Sequence, residues 1–443
     1  MRIAVVGTGV SGLTAARLLS DRHEVHVFES ESTPGGHALT VDARAFGKSQ
    51  PVDVGFMVYN EVTYPHFTRL LALLNVPTRV SDMSFSVRCD RTGQEYNGSS
   101  LNGLFARRSN LARPSHWRML RDVARFFNEA PRDAATMSVE ETTRAYVARK
   151  RLGAEFRTLY LIPMAASIWS APADAILEFP ALFLIRFFEN HGLLRATGHL
   201  EWRTIVGGSR VYVTALSLPF RDNIRLNTPV RAVSRTERGA IVTTDDAGAE
   251  EFDAVVMATH ADITLRLLQD ADEREIEVLA AFPYQANAAT LHTDAALLPS
   301  RRRAWASWNY LVPRDPGAAT AITYDLSRLQ GHSTPSPICL TLNRGGAARG
   351  DTVLRELMFH HPLYEPRSTA AQGRHGEVNG RRNTYFCGAY WGNGFHEDGV
   401  ASALAATRPL GTSLDTCTAA SMKAELSIAA SGRSRIDSVA SCT

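Results

Sequence analysis

The chain has 443 residues, of which 44% are hydrophobic and 21% charged, and its net charge is +3. This length allows two or three domains with sizeable cores, and the composition is typical of soluble globular proteins. The small net charge predicts no nucleic-acid partner, and the absence of an uninterrupted apolar run of about 18 residues predicts no membrane span. The five cysteines form no CxxC pair, which predicts a reducing, cytoplasmic location without a zinc site.

The first thirty residues predict a strand, a helix and a second strand. Arg2–Val6 is a short apolar run with β-branched residues, typical of a buried strand. Ser11–Ser20 has apolar residues at helical spacing, and Glu24–Glu29 alternates like a strand. The glycines between the first strand and the helix favour this interpretation over a signal peptide.

Three glycines with G-x-G-x-x-G spacing lie at the first strand-to-helix turn. In this pattern the first glycine permits the turn, the second lets a diphosphate approach the backbone, and the third packs the helix on the strand. A carboxylate about 20 residues later can bind ribose hydroxyls. We therefore predict a dinucleotide site formed by Gly7, Gly9, Val10, Ser11, Gly12, Glu29 and Ser30.

A second glycine pair, Gly35-Gly36, follows soon after the predicted ribose carboxylate, and "DVG" comes at Asp53–Gly55. Taken alone, "PGG" could be only a turn. In this position it resembles the FAD-binding pattern of the flavin amine oxidase, protoporphyrinogen oxidase and phytoene desaturase superfamily. The resemblance implies FAD as cofactor, with contacts from Gly35, Gly36, His37, Val54, Gly55 and Phe56.

Glycine-turn and strand patterns return in the middle of the chain. "IVGGSRVYVTAL" at 205–216 predicts a glycine turn and a helix, and 223–260 predicts short strands that end with Ala254–Ala258. The superfamily resemblance implies that Val230 meets the adenine and that Ala258 and Thr259 lie above the diphosphate.

The predicted fold class is therefore α/β, with a Rossmann-like FAD-binding domain of the amine oxidase (GR2) type and an α+β substrate-binding domain. The FAD domain would be discontinuous, from 1–80, 205–268 and 375–412, and the substrate domain would contain 81–204 and 269–374. The Ser/Ala/Thr-rich tail at 413–443 predicts disorder.

Residues 115–129 predict an amphipathic helix with Trp117, Leu120, Val123, Ala124 and Phe127 on one side and arginines on the other. A basic amphipathic helix can lie on an anionic membrane surface. It can equally present a solvated face of a domain helix, and the sequence leaves both interpretations open.

The C-terminal "TYFCGAYWGNGFHEDGVASALAAT" predicts a strand, a glycine-rich loop and a helix. The resemblance implies that this helix points its N-terminus at the flavin, where its dipole stabilises negative charge. We assign cofactor contacts to Gly388, Glu397, Asp398, Gly399 and Val400, and catalytic roles to His396, Tyr390 and Trp391. In this arrangement the two acids cap N–H groups at the start of the helix. His396 lies beside the isoalloxazine, either as a proton donor or acceptor or as a wall residue. Tyr390 and Trp391 form walls of the substrate cavity.

We predict no metal site at His396, because no second histidine follows at the i, i+4 spacing of H-E-x-x-H. Cys387 lies within the predicted strand, before the diphosphate glycine. We therefore expect FAD to be bound non-covalently.

Several stretches are similar to a narrower group, the flavin-binding proteins found with cyclopropane-fatty-acid synthases and fused to them in plants. They include "VDVGFMVYNEVTYPHFTRLLALLNV", "MAASIWSAP", "GGSRVYV" and "YFCGAYWGNGFHEDG". This resemblance implies FAD-dependent chemistry on a hydrophobic or lipid-bound acyl substrate and functional pairing with such a synthase. The basic helix at 115–129 would add peripheral contact with the inner membrane surface. An isoprenoid or carotenoid desaturase-like enzyme, or a non-catalytic lipid- or synthase-binding flavoprotein, are the alternatives.

Many amine oxidases hold a lysine over the flavin on a strand of the substrate domain. The equivalent stretch here, 284–294, contains no lysine, and the chain has only Lys48, Lys150 and Lys423. This absence argues against amine oxidation. His292 and Asp294 are polar residues of that stretch, facing either outward or the flavin.

Overall fold

The computed structural model describes residues 1–315 and 321–415. The predicted disorder of 413–443 falls almost entirely outside these residues. The strands are β1 (Arg2–Val6), β2 (Glu24–Phe28), β3 (Thr40–Ala45), β4 (Lys48–Asp53), β5 (Tyr59–Asn60), β6 (Thr78–Ser81), β7 (Phe85–Cys89), β8 (Gln94–Asn97), β9 (Trp202–Ile205), β10 (Ile224–Arg225), β11 (Val230–Arg235), β12 (Ala240–Thr244), β13 (Gly248–Phe252), β14 (Ala254–Met257), β15 (Tyr284–His292), β16 (Trp308–Val312), β17 (Ala321–Asp325), β18 (Cys339–Leu342), β19 (Val353–Pro362) and β20 (Thr384–Phe386).

Most of the helices are short and lie between the strands. They are α1 (Val10–Ser20), α2 (Pro65–Leu73), α3 (Leu101–Leu104), α4 (Pro114–Asp133), α5 (Thr143–Arg149), α6 (Ala154–Phe156), α7 (Ile162–Trp169), α8 (Ala173–Glu178), α9 (Ala181–Asn190), α10 (Arg210–Ser217), α11 (Ala261–Leu267), α12 (Glu273–Leu279), α13 (Leu326–Gln330), α14 (Pro366–Gln372), α15 (His375–Val378) and α16 (His396–Thr407). In the described part of the chain, no helix combines the length and apolar character needed to cross a bilayer.

A five-stranded parallel sheet forms the first half of the molecule, in the order β10-β2-β1-β14-β20. Its central strands read as continuous apolar runs, because both faces of a parallel sheet are covered. Helices α1, α10 and α16 cover one face, and one buried apolar cluster joins them to the sheet. All five strands lie in the three segments that the sequence assigned to the cofactor domain.

The turn between β1 and α1 explains the glycine pattern. A Cβ on Gly12 would stand 2.0 Å from the carbonyl oxygen of Gly7, so a side chain there would push the helix off the strand. Gly7 itself has φ of 103°, a conformation that other residues rarely adopt. The sequence-predicted strand–turn–helix is confirmed, with α1 beginning one residue earlier than expected.

A seven-stranded mixed sheet forms the second half, in the order β19-β15-β18-β17-β16-β7-β8. Helices from 114 to 190 lie over one face of it and enclose the largest apolar cluster of the described residues. The strands of this sheet all come from the segments assigned to the substrate domain. The small sheet β5-β9-β6 takes strands from both sets of segments and lies between them.

Asp53 is a buried link between the two halves. Its carboxylate accepts hydrogen bonds from the Ser209 N–H at 2.8 Å and from the Thr40 hydroxyl at 2.6 Å. Its backbone N–H and carbonyl bond the side-chain amide of Gln330 at 2.9 and 2.8 Å. The "DVG" segment is thereby fixed against both α10 and α13.

The helix expected at 115–129 is longer, Pro114–Asp133, and it packs as a domain helix. Its most buried apolar residues are Met119, Phe126 and Ala130, whereas the predicted apolar side is only partly covered and Trp117 is half exposed. The C-terminal part of α4 is therefore not free to lie on a membrane.

Candidate active site

The carboxyl ends of the parallel strands meet at one edge, where α/β sheets bind ligands. The backbone N–H of Ala258 donates to the carbonyl of Val6 at 2.9 Å. A Cβ on Gly7 would lie 2.9 Å from the carbonyl oxygen of Ala258. The predicted "AT" end at Ala258 and Thr259 is therefore in direct contact with the first glycine of the fingerprint.

Glu29 is a buried carboxylate at the end of β2. It accepts hydrogen bonds from the backbone N–H groups of Thr8 and Glu31, each at 3.0 Å, and from the Ser30 hydroxyl at 3.2 Å. The N–H of Thr228 donates to the Glu29 carbonyl at 2.7 Å, which brings the start of β11 and Val230 alongside. These contacts place the predicted ribose and adenine residues at one end of the sheet edge.

The predicted FAD can be tested against this edge. Gly9 has open space beside it, since an added Cβ would meet no atom within 4 Å. The Nε2 atom of His37 is buried and has no hydrogen-bond partner among the described residues. Gly35, with φ of 127°, and Gly36 bring that segment against Gly9. Open backbone, an unpartnered imidazole nitrogen and a terminal carboxylate fit a dinucleotide.

The two ends of the chain come together at this edge. A Cβ on Gly399 would lie 2.6 Å from Cγ1 of Val10 and 3.0 Å from Oγ of Ser11. The N–H of Gly388 donates to the Ser402 hydroxyl at 3.0 Å, which ties the end of β20 to α16. The N-termini of α1 and α16 therefore converge, and both direct positive dipole ends at the candidate site.

The two acids of "GFHEDG" cap helices, but not the same one. Asp398 accepts from the N–H of Phe395 at 2.9 Å and so closes the first turn of its own helix. Glu397 instead accepts from His66 and Phe67 at 3.1 and 3.0 Å, at the start of α2. Both acids were predicted to cap α16, which is correct for Asp398 and wrong for Glu397, because tertiary contacts bring the start of α2 to the Glu397 carboxylate. Burial raises the pKa of Asp398 to about 6.

His396 is enclosed by aromatic side chains from three separate segments. Its ring stacks on Phe56 with centroids 3.5 Å apart and meets the edge of Phe67 at 5.4 Å. The Tyr212 hydroxyl lies 2.8 Å from its Nε2 atom. Burial lowers the pKa of His396 well below its usual value and raises that of Tyr212 well above.

These pKa directions leave both side chains of the His396–Tyr212 pair neutral at pH 7. The phenol of Tyr212 stays protonated at neutral pH, and Nε2 of His396 is its hydrogen-bond partner among the described residues. We therefore assign the phenol as the donor, which leaves the proton of the neutral imidazole on Nδ1. His396 can therefore donate a hydrogen bond through Nδ1 but has no charged form near pH 7. Tyr212 was not predicted as a site residue, although it lies within the "GGSRVYV" stretch used for the family resemblance.

Tyr390 and Trp391 do not accompany His396. Tyr390 packs on Phe282 with ring centroids 4.9 Å apart, and Trp391 meets Phe282 and His375 at 5.5 and 4.6 Å. This cluster lies on the face of the parallel sheet opposite α1 and α16. The expected placement of both residues beside His396 is corrected, because the glycine loop reverses between residues 391 and 396; their role as cavity walls stays a prediction.

A second aromatic cluster adjoins the loop instead. Phe395 stacks with Phe187 at 5.2 Å, Phe187 contacts Trp169 at 4.7 Å, and the Trp169 indole N–H donates to the Asn393 carbonyl at 3.1 Å. Trp169 belongs to "MAASIWSAP" and Phe187 to the phenylalanine-rich stretch, so the composition signalled apolar character. Only the fold shows that this mostly buried aromatic cluster includes Phe395, the residue before His396.

The lysines of the described residues lie elsewhere. Lys150 pairs with Glu129 and Asp133 at 2.7 and 3.0 Å, and Lys48 begins β4 in an exposed hairpin.

His292 shares a hydrogen bond of 2.8 Å with the Thr341 hydroxyl within the seven-stranded sheet. It lies on the opposite face from Ala289 and Leu291 of the apolar core. His292 is therefore a sheet residue and does not face His396.

Histidines also meet where His37 touches the second sheet. The ring of His37 lies 5.3 Å from His361 and 5.9 Å from His260, and His361 bonds the Asn287 amide at 2.8 Å. Burial lowers the pKa of His37 and His260 to about 4 and that of His361 to about 3. Within residues 1–315 and 321–415, no group of three metal-ligating side chains is arranged around a common point.

Comparison with known proteins gives the family. A family model described as flavin containing amine oxidoreductase matches residues 10–298. The chain belongs to this family. It is 28% identical over 264 residues to AofH of Mycobacterium tuberculosis, a protein named as a flavin-containing monoamine oxidase; the match covers 56% of this chain and 54% of AofH. The chain thus spans about half the length of this curated relative.

Solved structures show the same fold across nearly the whole chain. A putrescine oxidase variant superposes with a TM-score of 0.67 at 16% identity, and the CLA-producing fatty acid isomerase from P. acnes with 0.66 at 14%. Each match covers 92% of this chain and 98% of the other. The amine oxidase fold and FAD as cofactor, expected from the sequence, are confirmed. The identities are too low to transfer a substrate.

Proposed function

We propose that this family member is an FAD-dependent oxidoreductase that acts on a hydrophobic, fatty-acyl substrate. The proposal rests on the side chains around the loop that carries His396, which are aromatic and apolar. This loop adjoins Phe395, Phe187 and Trp169, and no lysine of the described residues lies near it. Apolar aromatic surroundings favour an acyl chain, whereas an amine cation would need a charge partner.

The bound FAD would supply hydride transfer, and the protein positions the reactants and excludes water. Phe395 and Trp169 would bind the acyl chain and keep the site dry. The N-terminus of α16 would stabilise negative charge beside the loop. His396, held by Tyr212, would present its Nδ1 proton as a hydrogen-bond donor that orients a polar group of the substrate.

Anaerobic mixing tests the substrate class directly. We expect free or phospholipid-linked fatty acyl chains to change the flavin absorbance, while monoamines and polyamines leave it unchanged. Reduction by an amine would identify an amine oxidase and refute the proposal. A response to neither, with FAD bound, would favour a flavoprotein that binds lipid or a partner without turnover.

The resemblance to proteins found with cyclopropane-fatty-acid synthases supports a second part of the proposal, a functional pairing with such an enzyme. The aromatic cluster of Phe395, Phe187 and Trp169 supports the same pairing, because both enzymes would then act on fatty-acyl chains. Comparison of the lipids of a deletion strain with those of the parent tests this pairing. Unchanged cyclopropane and unsaturated acyl species would contradict it. A carotenoid or isoprenoid desaturase activity would appear in the same strain as altered isoprenoids.

A further inference from the structure

Three apolar side chains of the second domain are exposed to solvent at one end of the seven-stranded sheet. Leu101 is 77% exposed, Leu111 53% and Trp117 51%. They come from α3, from the 3-10 turn Arg108–Ala112 and from the first turns of α4. Exposed residues of this size that cluster on one face mark an interaction surface, whereas scattered ones need no explanation.

Direct contacts hold these three elements together as one face. The indole N–H of Trp117 donates to the Leu111 carbonyl at 2.9 Å, and its ring lies 5.5 Å from Phe105 at the end of α3. Helix α3 also packs against the 3-10 turn Arg302–Ala304. We call this face the α3–α4 surface; it comprises 91–93, 101–118 and 301–305.

The same surface is strongly basic. Some of its arginines bond backbone carbonyls, others extend into solvent, and Arg118 pairs with Glu155. In the described part of the chain, no carboxylate lies within 4 Å of seven of them: Arg91, Arg107, Arg108, Arg113, Arg301, Arg302 and Arg303. The nearby acids are engaged elsewhere, since Asp90 pairs with Arg88 and the buried Glu95 accepts from Ser300.

Local contacts hold several of these guanidinium groups in place. Arg107 donates to the Gly93 carbonyl, Arg113 to the Thr92 carbonyl at 2.6 Å and Arg108 to Asn102 at 2.6 Å. Arg302 lies 5.4 Å from the centre of the Trp305 ring. Each guanidinium retains further N–H donors, and arginine binds phosphate in a bidentate manner.

We propose that the α3–α4 surface docks the protein on anionic phospholipid bilayers. Exposed Trp and Leu side chains would enter the interface between headgroups and acyl chains, while the arginines bind the surrounding phosphates. Charge complementarity selects this partner, because seven unpaired arginines around an apolar centre repel a cationic surface and gain little from a neutral one. The surface adjoins β8, at the opposite edge of the sheet from β19, so the proposal is independent of the function proposed above.

Vesicle flotation of the FAD-bound protein tests the proposal. We expect binding to phosphatidylcholine vesicles that contain phosphatidylglycerol, weak binding to pure phosphatidylcholine, and loss of binding at high salt. The R108E/R302E variant should bind at least about 25-fold more weakly, at about fivefold for each arginine removed. Trp117→Ala should weaken binding at unchanged salt dependence.

The control is R238E/R274E, which reverses two exposed arginines outside the α3–α4 surface that also have no carboxylate of the described residues within 4 Å. It should bind like the wild type. Flavin content and the thermal midpoint of each variant exclude misfolding as the cause. Equal binding to neutral vesicles, equal loss in the control, or no binding by the wild type would each overturn the proposal. Self-association through this face without vesicle binding would do the same.

Discussion

The hydrogen bond between Tyr212 and His396 offers a sharp test of the site, through Tyr212→Phe. Both side chains are buried, and the oxygen–nitrogen distance is 2.8 Å. The substitution removes only the hydroxyl, so no cavity forms, but Nε2 of His396 loses its donor. A buried acceptor left without a partner costs about 1–3 kcal/mol, and the free energy of unfolding should fall by that amount.

Tyr364→Phe is the matched control for this measurement. Tyr364 is as fully buried as Tyr212, at 0% exposure, but its hydroxyl has no hydrogen-bond partner among the described residues. We expect Tyr364→Phe to be neutral or stabilising. Urea denaturation measures both variants; Tyr212→Phe should lower the midpoint without a change in slope. If it lowers the midpoint no more than Tyr364→Phe does, the hydrogen bond is not part of the folded protein.

Four further predictions concern pH, the cofactor and a helix cap. Burial lowers the pKa of His191 and His292 to about 4, so the folded state binds fewer protons than the unfolded state below pH 6.5. The free energy of unfolding should therefore fall as the pH drops from 6.5 to 4, by about 3 kcal/mol for each such histidine. Urea melts at several pH values should show a smaller fall for His191→Phe than for the wild type. An equal fall would contradict the lowered pKa of His191. Asp398 acts in the opposite direction, because its pKa in the folded protein is raised to about 6. Its contribution to the free energy of unfolding is therefore lost as the pH rises from 4 to 6. The difference in the free energy of unfolding between the wild type and Asp398→Asn should shrink over that range. Burial raises the pKa of Cys387 to about 12, so the thiol is not a nucleophile at neutral pH. Mass spectrometry of the denatured protein should therefore show unmodified chain and free FAD. A flavinylated peptide would refute non-covalent binding. Glu397→Ala removes the cap of α2 and should cost about 1 kcal/mol in the free energy of unfolding; an effect no larger than that of an exposed Glu→Ala change such as Glu140→Ala would exclude the cap.

The cofactor framework was predictable because its signals are local. The spacing of Gly7, Gly9 and Gly12 reports a turn whose steric demands are met within a dozen residues, and the strands around it are short apolar runs. Glu29 at the end of β2 follows from the same unit. The dinucleotide site therefore followed from sequence patterns, and FAD followed from the resemblance to the flavin superfamily. The comparisons confirm the fold class and FAD.

The prediction failed where the loop geometry matters. Tyr390 and Trp391 are close to His396 in sequence, yet they pack on Phe282 on the other side of the sheet. Sequence proximity is a poor guide across a glycine-rich loop, because each glycine allows reversals that other residues exclude. Glu397 likewise caps a helix more than 300 residues away.

The sequence by itself determined the parallel sheet, its glycine turn and the helix that begins at "GFHEDG", because these features depend on neighbouring residues. Only the tertiary structure decided which distant side chains enclose His396. Phe56, Phe67 and Tyr212 reach it from three separate segments, and Tyr212 fixes its tautomer. The tertiary structure also gathered unpaired arginines from 91–113 and 301–303 onto one face, since only folding brings segments about 200 residues apart together.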